Sequence, residues 1–180
     1  MTRSIPGLIS CSLLLFISSA CSKTVPNPTS ESANSPAASP ATQRITSESV
    51  VRVTAQPVEI PPGGSAEAVV RVTIQSGYHV NANPPTYPYL KATELELLPA
   101  DGVSVGLVTY PKALNKKLAF AEKPLAIYEG ETELKALLKA DKAAKTGERS
   151  LSAKLRIQAC DDQVCYQPGT LDFAIPVNLK

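Results

Sequence analysis

Leu151-Ser152-Ala153-Lys154-Leu155-Arg156-Ile157-Gln158-Ala159 and Leu171-Asp172-Phe173-Ala174-Ile175-Pro176-Val177-Asn178-Leu179 are the two stretches that decide the fold. In each, apolar residues alternate with mostly polar ones, the period of a strand with one buried face. Pro176 has no backbone N–H and directs the second strand to a sheet edge or a bulge. Between them runs Cys160-Asp161-Asp162-Gln163-Val164-Cys165-Tyr166-Gln167-Pro168-Gly169, so two cysteines sit at an exposed turn joining two well-anchored strands.

The same alternation recurs upstream. Ala68, Val70, Val72 and Ile74 share a face opposite Arg71, Thr73 and Gln75, and Leu95 and Leu97 oppose Glu94 and Glu96. Val50–Ala55 and Val103–Tyr110 are further short strands. Thr132–Ala140 is ambiguous. Leu134, Ala136 and Leu138 suit a strand, Leu134, Leu137 and Leu138 suit a helical face, and the surrounding pattern favours the strand. With 16 prolines and no tryptophan in 180 residues, seven or eight short strands predict an all-β sandwich. Gly77-Tyr78-His79-Val80-Asn81, with the chain's one histidine, reads as an irregular loop. His79 is expected to be a hydrogen-bonded residue fixing that loop rather than a general base.

Composition excludes some functions. A net charge of +2, with Lys116-Lys117 as the longest basic run, gives no footprint for nucleic acid. The N-terminus has a targeting pattern: Arg3, an apolar run from Ile5 to Ile17, then Ser18-Ser19-Ala20 before Cys21. That run is shorter than the roughly 20 residues a membrane span needs. Residues 1–20 are therefore expected to be a signal peptide. The cysteine after the cleavage point resembles a bacterial lipoprotein signal, which implies acylation of Cys21, although Ser18 stands where such signals favour leucine. Residues 21–48, rich in Pro, Ser, Thr and Ala, read as a disordered tether, and the folded domain as residues 49–180.

Cys11 would leave with the leader and Cys21 would carry lipid, leaving Cys160 and Cys165 as an isolated pair in an oxidising compartment. A staple across so short a loop would add only about 2 kcal/mol, against nearly 5 for a loop of about 100 residues. A metal site is poorly supplied, since zinc usually takes four N or S ligands and the chain has one histidine. No metal or other cofactor is therefore expected. A redox couple suits the spacing better, because a short loop leaves both sulfurs near the surface for exchange. Asp161 and Asp162 should disfavour a thiolate at Cys160.

Gln158-Ala159-Cys160-Asp161-Asp162-Gln163-Val164-Cys165-Tyr166-Gln167-Pro168, with Gly77-Tyr78-His79-Val80-Asn81 upstream, resembles the N-terminal periplasmic domain family of the thiol:disulfide interchange protein DsbD. The resemblance covers roughly residues 50–180 and implies an immunoglobulin-like β-sandwich. It implies that Cys160 and Cys165 receive electrons from a membrane or thioredoxin-like donor and pass them to exported disulfide-containing clients. It further implies that Cys165 attacks the client. A cap-loop phenylalanine shields the pair in that family. Phe120 is the counterpart here, with Tyr128 as the second candidate. The best-known members have one more residue between the cysteines, and they carry a transmembrane conduit and a thioredoxin-like domain not expected in this chain. The expectation is thus a domain at the periplasmic face of a bacterial membrane, anchored through lipid at Cys21, with a separate electron donor. The competing expectation is a non-catalytic immunoglobulin-like binding or assembly lipoprotein with an inert disulfide.

Overall fold

The structure is a computed structural model that describes residues 44–180. The expected signal peptide, Cys21 and nearly all of the expected tether lie outside the described residues. No described helix is long and apolar enough to cross a membrane.

A single 3-10 turn, Glu48–Val50, leads into twelve strands among the described residues. They are β1 (Val51–Ala55), β2 (Val58–Ile60), β3 (Ser65–Ile74), β4 (His79–Asn81), β5 (Glu94–Leu97), β6 (Val103–Thr109), β7 (Leu114–Lys116), β8 (Leu125–Tyr128), β9 (Glu131–Ala140), β10 (Gly147–Ile157), β11 (Ala159–Cys160) and β12 (Gly169–Leu179). They form three four-stranded sheets, ordered β1-β3-β9-β6, β2-β12-β10-β5 and β11-β4-β8-β7. The first two enclose the main core of an immunoglobulin-like β-sandwich. The third carries the cysteines.

The alternating residues face inward as their period requires. Val70 and Val72 of β3, Leu134 and Leu138 of β9, and Leu151, Leu155, Ile175 and Val177 of β10 and β12 have at most 2% exposure. β10 and β12 pair antiparallel from Gly147↔Leu179 to Ile157↔Gly169, which places Leu155 between Leu171 and Leu95 of its two neighbours. The ambiguous stretch is strand β9. Leu134 and Leu138 point inward opposite Val70 and Ala66, while Leu137 is 37% exposed, whereas a helix would have put all three on one face. Pro176 lies where β12 is still an edge, one residue before β2 begins its parallel pairing at Val177.

The strand count exceeds the expected seven or eight because β2, β4, β7, β8 and β11 are two to four residues long. A two-residue period cannot show itself over so few positions. The segment around His79, expected to be a loop, is one of these strands. Gly77, at φ 87°, supplies the left-handed turn that sends the chain from β3 into β4. Order also begins earlier than residue 49. Ser47 is fully buried, and Glu48 receives a hydrogen bond from the Thr170 backbone N–H.

Candidate functional site: the disulfide hairpin and the loop beside it

The chain leaves the second sheet at Gln158 and enters the third at Ala159, and side chains fix that crossing. The Gln158 amide oxygen accepts from Asn81 Nδ2 at 3.1 Å and from the Lys91 N–H at 3.0 Å, while its Nε2 donates to the Tyr166 carbonyl. Ser47 Oγ accepts from the Ala159 N–H at 3.0 Å and donates to the Gln167 carbonyl at 2.6 Å. One hydroxyl thus holds both arms of the cysteine hairpin from 112 and 120 residues away in sequence. The Glu48 carboxylate packs against Gly169 beside it, so a Cβ there would displace the end of that side chain.

Within the hairpin, Cys160 and Cys165 stand opposite each other and form a disulfide across a sequence separation of 5. Asp161 Oδ1 accepts from the N–H groups of Gln163 and Val164 at 2.7 and 2.8 Å. Its Oδ2 accepts from the Tyr166 hydroxyl at 2.6 Å. This is an aspartate organising its own turn. The same hydrogen bonds lower the Asp161 pKa and hold the carboxylate ionised beside the cysteines. Asp161 is committed to three hydrogen bonds, and Asp162 is paired with Lys116 at 3.4 Å.

The expectation that both sulfurs lie near the surface holds for one only. Cys165 is partly exposed, whereas Cys160 has no exposed surface. Cys160 is enclosed because β11 pairs with β4, opposing Cys160 to His79 and Ala159 to Val80. His79 is also fully buried, and neither ring nitrogen has a hydrogen-bond partner. A hydrogen-bonded histidine fixing a loop is therefore not what the fold contains. Burial, followed by the charge of Lys116, lowers the His79 pKa and favours the neutral imidazole.

The Tyr166–Asp161 bond shifts both groups. It is the main cause of the lowered Asp161 pKa and pushes the Tyr166 phenol up to about 12. A raised phenol pKa stabilises the fold fully below the unfolded value of about 10, and the contribution disappears as pH rises through the folded value. The depressed carboxyl contributes above the unfolded value of about 3.9 and is lost as pH falls through the folded one. The stability advantage of the native chain over Tyr166→Phe should accordingly shrink between about pH 10 and 12. Denaturant midpoints of both proteins across that range measure it, and a constant difference would contradict the assignment.

A second, smaller core lies under the loop that follows β7. It consists of Leu90, Leu118, Ala121, Leu125 and Ile127. Lys117 Nζ closes the loop on the carbonyls of Ala121 and Glu122 at 2.7 and 2.6 Å, and the Lys123 N–H donates to the Tyr87 hydroxyl. Phe120 is left out of that core at 47% exposure, against 4% for Leu118. It borders a groove of about 390 Å³ together with Tyr89, Leu90, Gln163, Val164 and Cys165. Tyr128 lies elsewhere. It is 2% exposed in the main core, where its hydroxyl donates to the Pro111 carbonyl and accepts from the Asn83 N–H.

The structure thus brings Cys160, Cys165 and Phe120 to one end of the sandwich and keeps Tyr128 inside it. Ser47, Gln158 and Tyr166 were missed as positioning residues. Ser47 and Gln158 bond to backbone groups and an amide brought close by the fold, which leave no spacing motif, while Tyr166 bonds to Asp161 within the hairpin itself.

The family described as thiol:disulfide interchange protein DsbD, N-terminal, matches residues 46–176. Among solved structures, the N-terminal periplasmic domain of ScsB from Proteus mirabilis is similar at 18% identity and a TM-score of 0.48, over 72% of this chain and 45% of that one. The ASH/PapD-like domain 7 of human CEP192 is similar at 11% identity and a TM-score of 0.38, over 82% and 96%. A family 123 glycoside hydrolase from Clostridium perfringens is similar at 10% identity and a TM-score of 0.33, over 73% and 27%. The chain spans less than half the length of the ScsB structure it matches. No curated protein sequence matches.

Proposed function

The chain belongs to the family of the N-terminal domain of the thiol:disulfide interchange protein DsbD, and from that footing we propose that it relays reducing equivalents through Cys160 and Cys165. A separate membrane or thioredoxin-like donor reduces the pair, and the pair reduces exported clients that carry disulfides. The reading extends to the N-terminus. Residues 1–20 direct export, Cys21 carries lipid, and residues 21–48 tether the domain at the periplasmic face of the membrane.

The observation that carries the reading is the unequal burial of the two cysteines. Exchange needs a sulfur that a partner can reach in line with the bond being broken. Cys165 borders the open groove, so in the reduced form its thiolate attacks a client disulfide and displaces one client sulfur as a thiolate. Cys160, shielded beneath it, then attacks Cys165. That step re-forms the internal disulfide and releases the second client sulfur, so two electrons pass to the client. The donor reverses the sequence. Phe120 covers the groove between encounters, and Tyr128 shapes the scaffold from within.

The reduction potential tests the proposal. Structural disulfides of secreted proteins typically lie below about −300 mV, whereas relay couples lie higher. Equilibration of the full chain with a thioredoxin-like dithiol should give a potential above that value, with exchange observed in both directions. A much lower potential and no exchange would leave an inert disulfide in a binding or assembly module.

A further inference from the structure

We propose that His79 is the proton acceptor for Cys160, the residue that frees the buried sulfur to close the catalytic cycle. The proposal rests on the exchange reading above and adds to it a residue and a proton path.

The geometry starts from the register. In an antiparallel pair, directly opposed residues project from the same face with Cβ atoms about 4.5–5.5 Å apart. Cys160 and His79 are such a pair, and both are wholly buried. The imidazole nevertheless has no hydrogen-bond partner on either nitrogen. A buried polar group left unpaired is costly, and its retention calls for an explanation. Reduction provides one. A disulfide sulfur carries no hydrogen, whereas the Cys160 thiol of the reduced state is a donor, and a neutral imidazole has one nitrogen free to accept.

Cys160 also needs such help more than Cys165 does. A thiolate is the attacking species, and charge on a sulfur without solvent is disfavoured. In the mixed disulfide, the Cys160 S–H proton moves to the free nitrogen of His79. The resulting thiolate attacks the Cys165 sulfur, and the electron pair of the Cys165–client bond leaves with the client sulfur. The imidazolium then gives that proton up to the departing client thiolate, directly or through solvent, which restores the neutral ring. Electrons and protons balance without another reactant.

The surrounding charges are compatible with that cycle. Lys116 of β7 opposes protonation of His79, while Asp162 and Asp161 of the hairpin and Glu129 after β8 favour it. Lys116 is itself paired with both Glu129 and Asp162, at 3.3 and 3.4 Å. Burial outweighs these influences and keeps the resting ring neutral with one nitrogen free, and the thiolate formed beside it offsets the cost of charging the buried ring.

Rapid mixing of the reduced full chain with an aromatic disulfide whose released thiolate is coloured resolves the two steps. The first release reports attack by Cys165, and the second reports closure by Cys160. His79→Phe should leave the first release within about twofold and slow the second at least about tenfold at pH 7. In the variant the second rate should climb about tenfold per pH unit, following the thiolate fraction, where the native chain stays nearly flat. Thermal stability should hold or rise, because two unpaired nitrogens are removed. His79→Gln, which can accept a hydrogen bond but not a proton, should show the same slow second release. An unchanged second release and pH profile in both variants would overturn the role. Slowing that merely tracks a loss of stability in both would overturn it in favour of packing. No release from the native chain would overturn the exchange reading itself.

Discussion

Cys165→Ser should abolish covalent capture of disulfide clients, while Cys160→Ser should accumulate it. Both substitutions put a smaller oxygen in place of a sulfur and remove the disulfide, and for client capture they differ in which sulfur remains. With Cys160 removed, Cys165 still borders the groove and still attacks, but nothing resolves the mixed disulfide. With Cys165 removed, the surviving thiol is Cys160, which has no exposed surface for a client to approach. Turnover should fall by roughly a thousandfold or more in both, since each cysteine is required for one of two obligatory steps. The readout is the mixed-disulfide band on a non-reducing gel, using single-cysteine variants in the native host. Trapping through Cys160 alone would reverse the order of attack and place the mobile step in the hairpin.

Leu155→Ala should destabilise the domain by about 2–5 kcal/mol without altering the chemistry of the reduced thiols. Leu155 is fully buried and lies between Leu95 and Leu171 in the middle of the second sheet. Neighbouring strands pinned by ladder bonds cannot collapse into the space it would leave, so the cavity cost adds to the lost transfer energy. Against a total stability of about 5–15 kcal/mol that is a large share, and the melting temperature should drop by roughly 10 °C. Phe120→Ala provides the opposite case. With 47% of its surface already in water, Phe120 should cost about 1 kcal/mol or less when truncated. Alkylation of the reduced Cys165 should nevertheless speed up several-fold, because the groove beside it opens. Melting curves and alkylation rates on both variants check the pair of outcomes. A loss of several kcal/mol at Phe120 with unchanged alkylation would make it a core residue.

Long alternating strands were legible because a buried face repeats every second residue. Val70, Leu151, Leu155 and Ile175 needed no tertiary knowledge to be placed inside. Short strands were not legible. His79–Asn81 and Ala159–Cys160 have too few positions to display a period, and they are strands because distant segments supply their hydrogen bonds, each to the other and β8 to the first. That pairing is also why His79 could not be read correctly. Among loop residues a lone histidine is usually hydrogen-bonded, but here a partner strand seals it in opposite Cys160 and leaves both its nitrogens without a partner.

From the amino-acid order alone come the all-β sandwich, the closely spaced Cys160/Cys165 pair and the family to which the chain belongs. These follow from periodicity, spacing and local motif, all of them properties of neighbours in the chain. Only the tertiary structure decided that Cys160 is sealed while Cys165 is accessible, that Asp161 organises the turn through three hydrogen bonds, and that Phe120 borders the groove while Tyr128 does not. Each of these depends on groups far apart in sequence, such as Ser47 holding both arms of the hairpin. Solvent exposure and hydrogen-bond partners are set by the whole packed chain, and no local stretch of it encodes them.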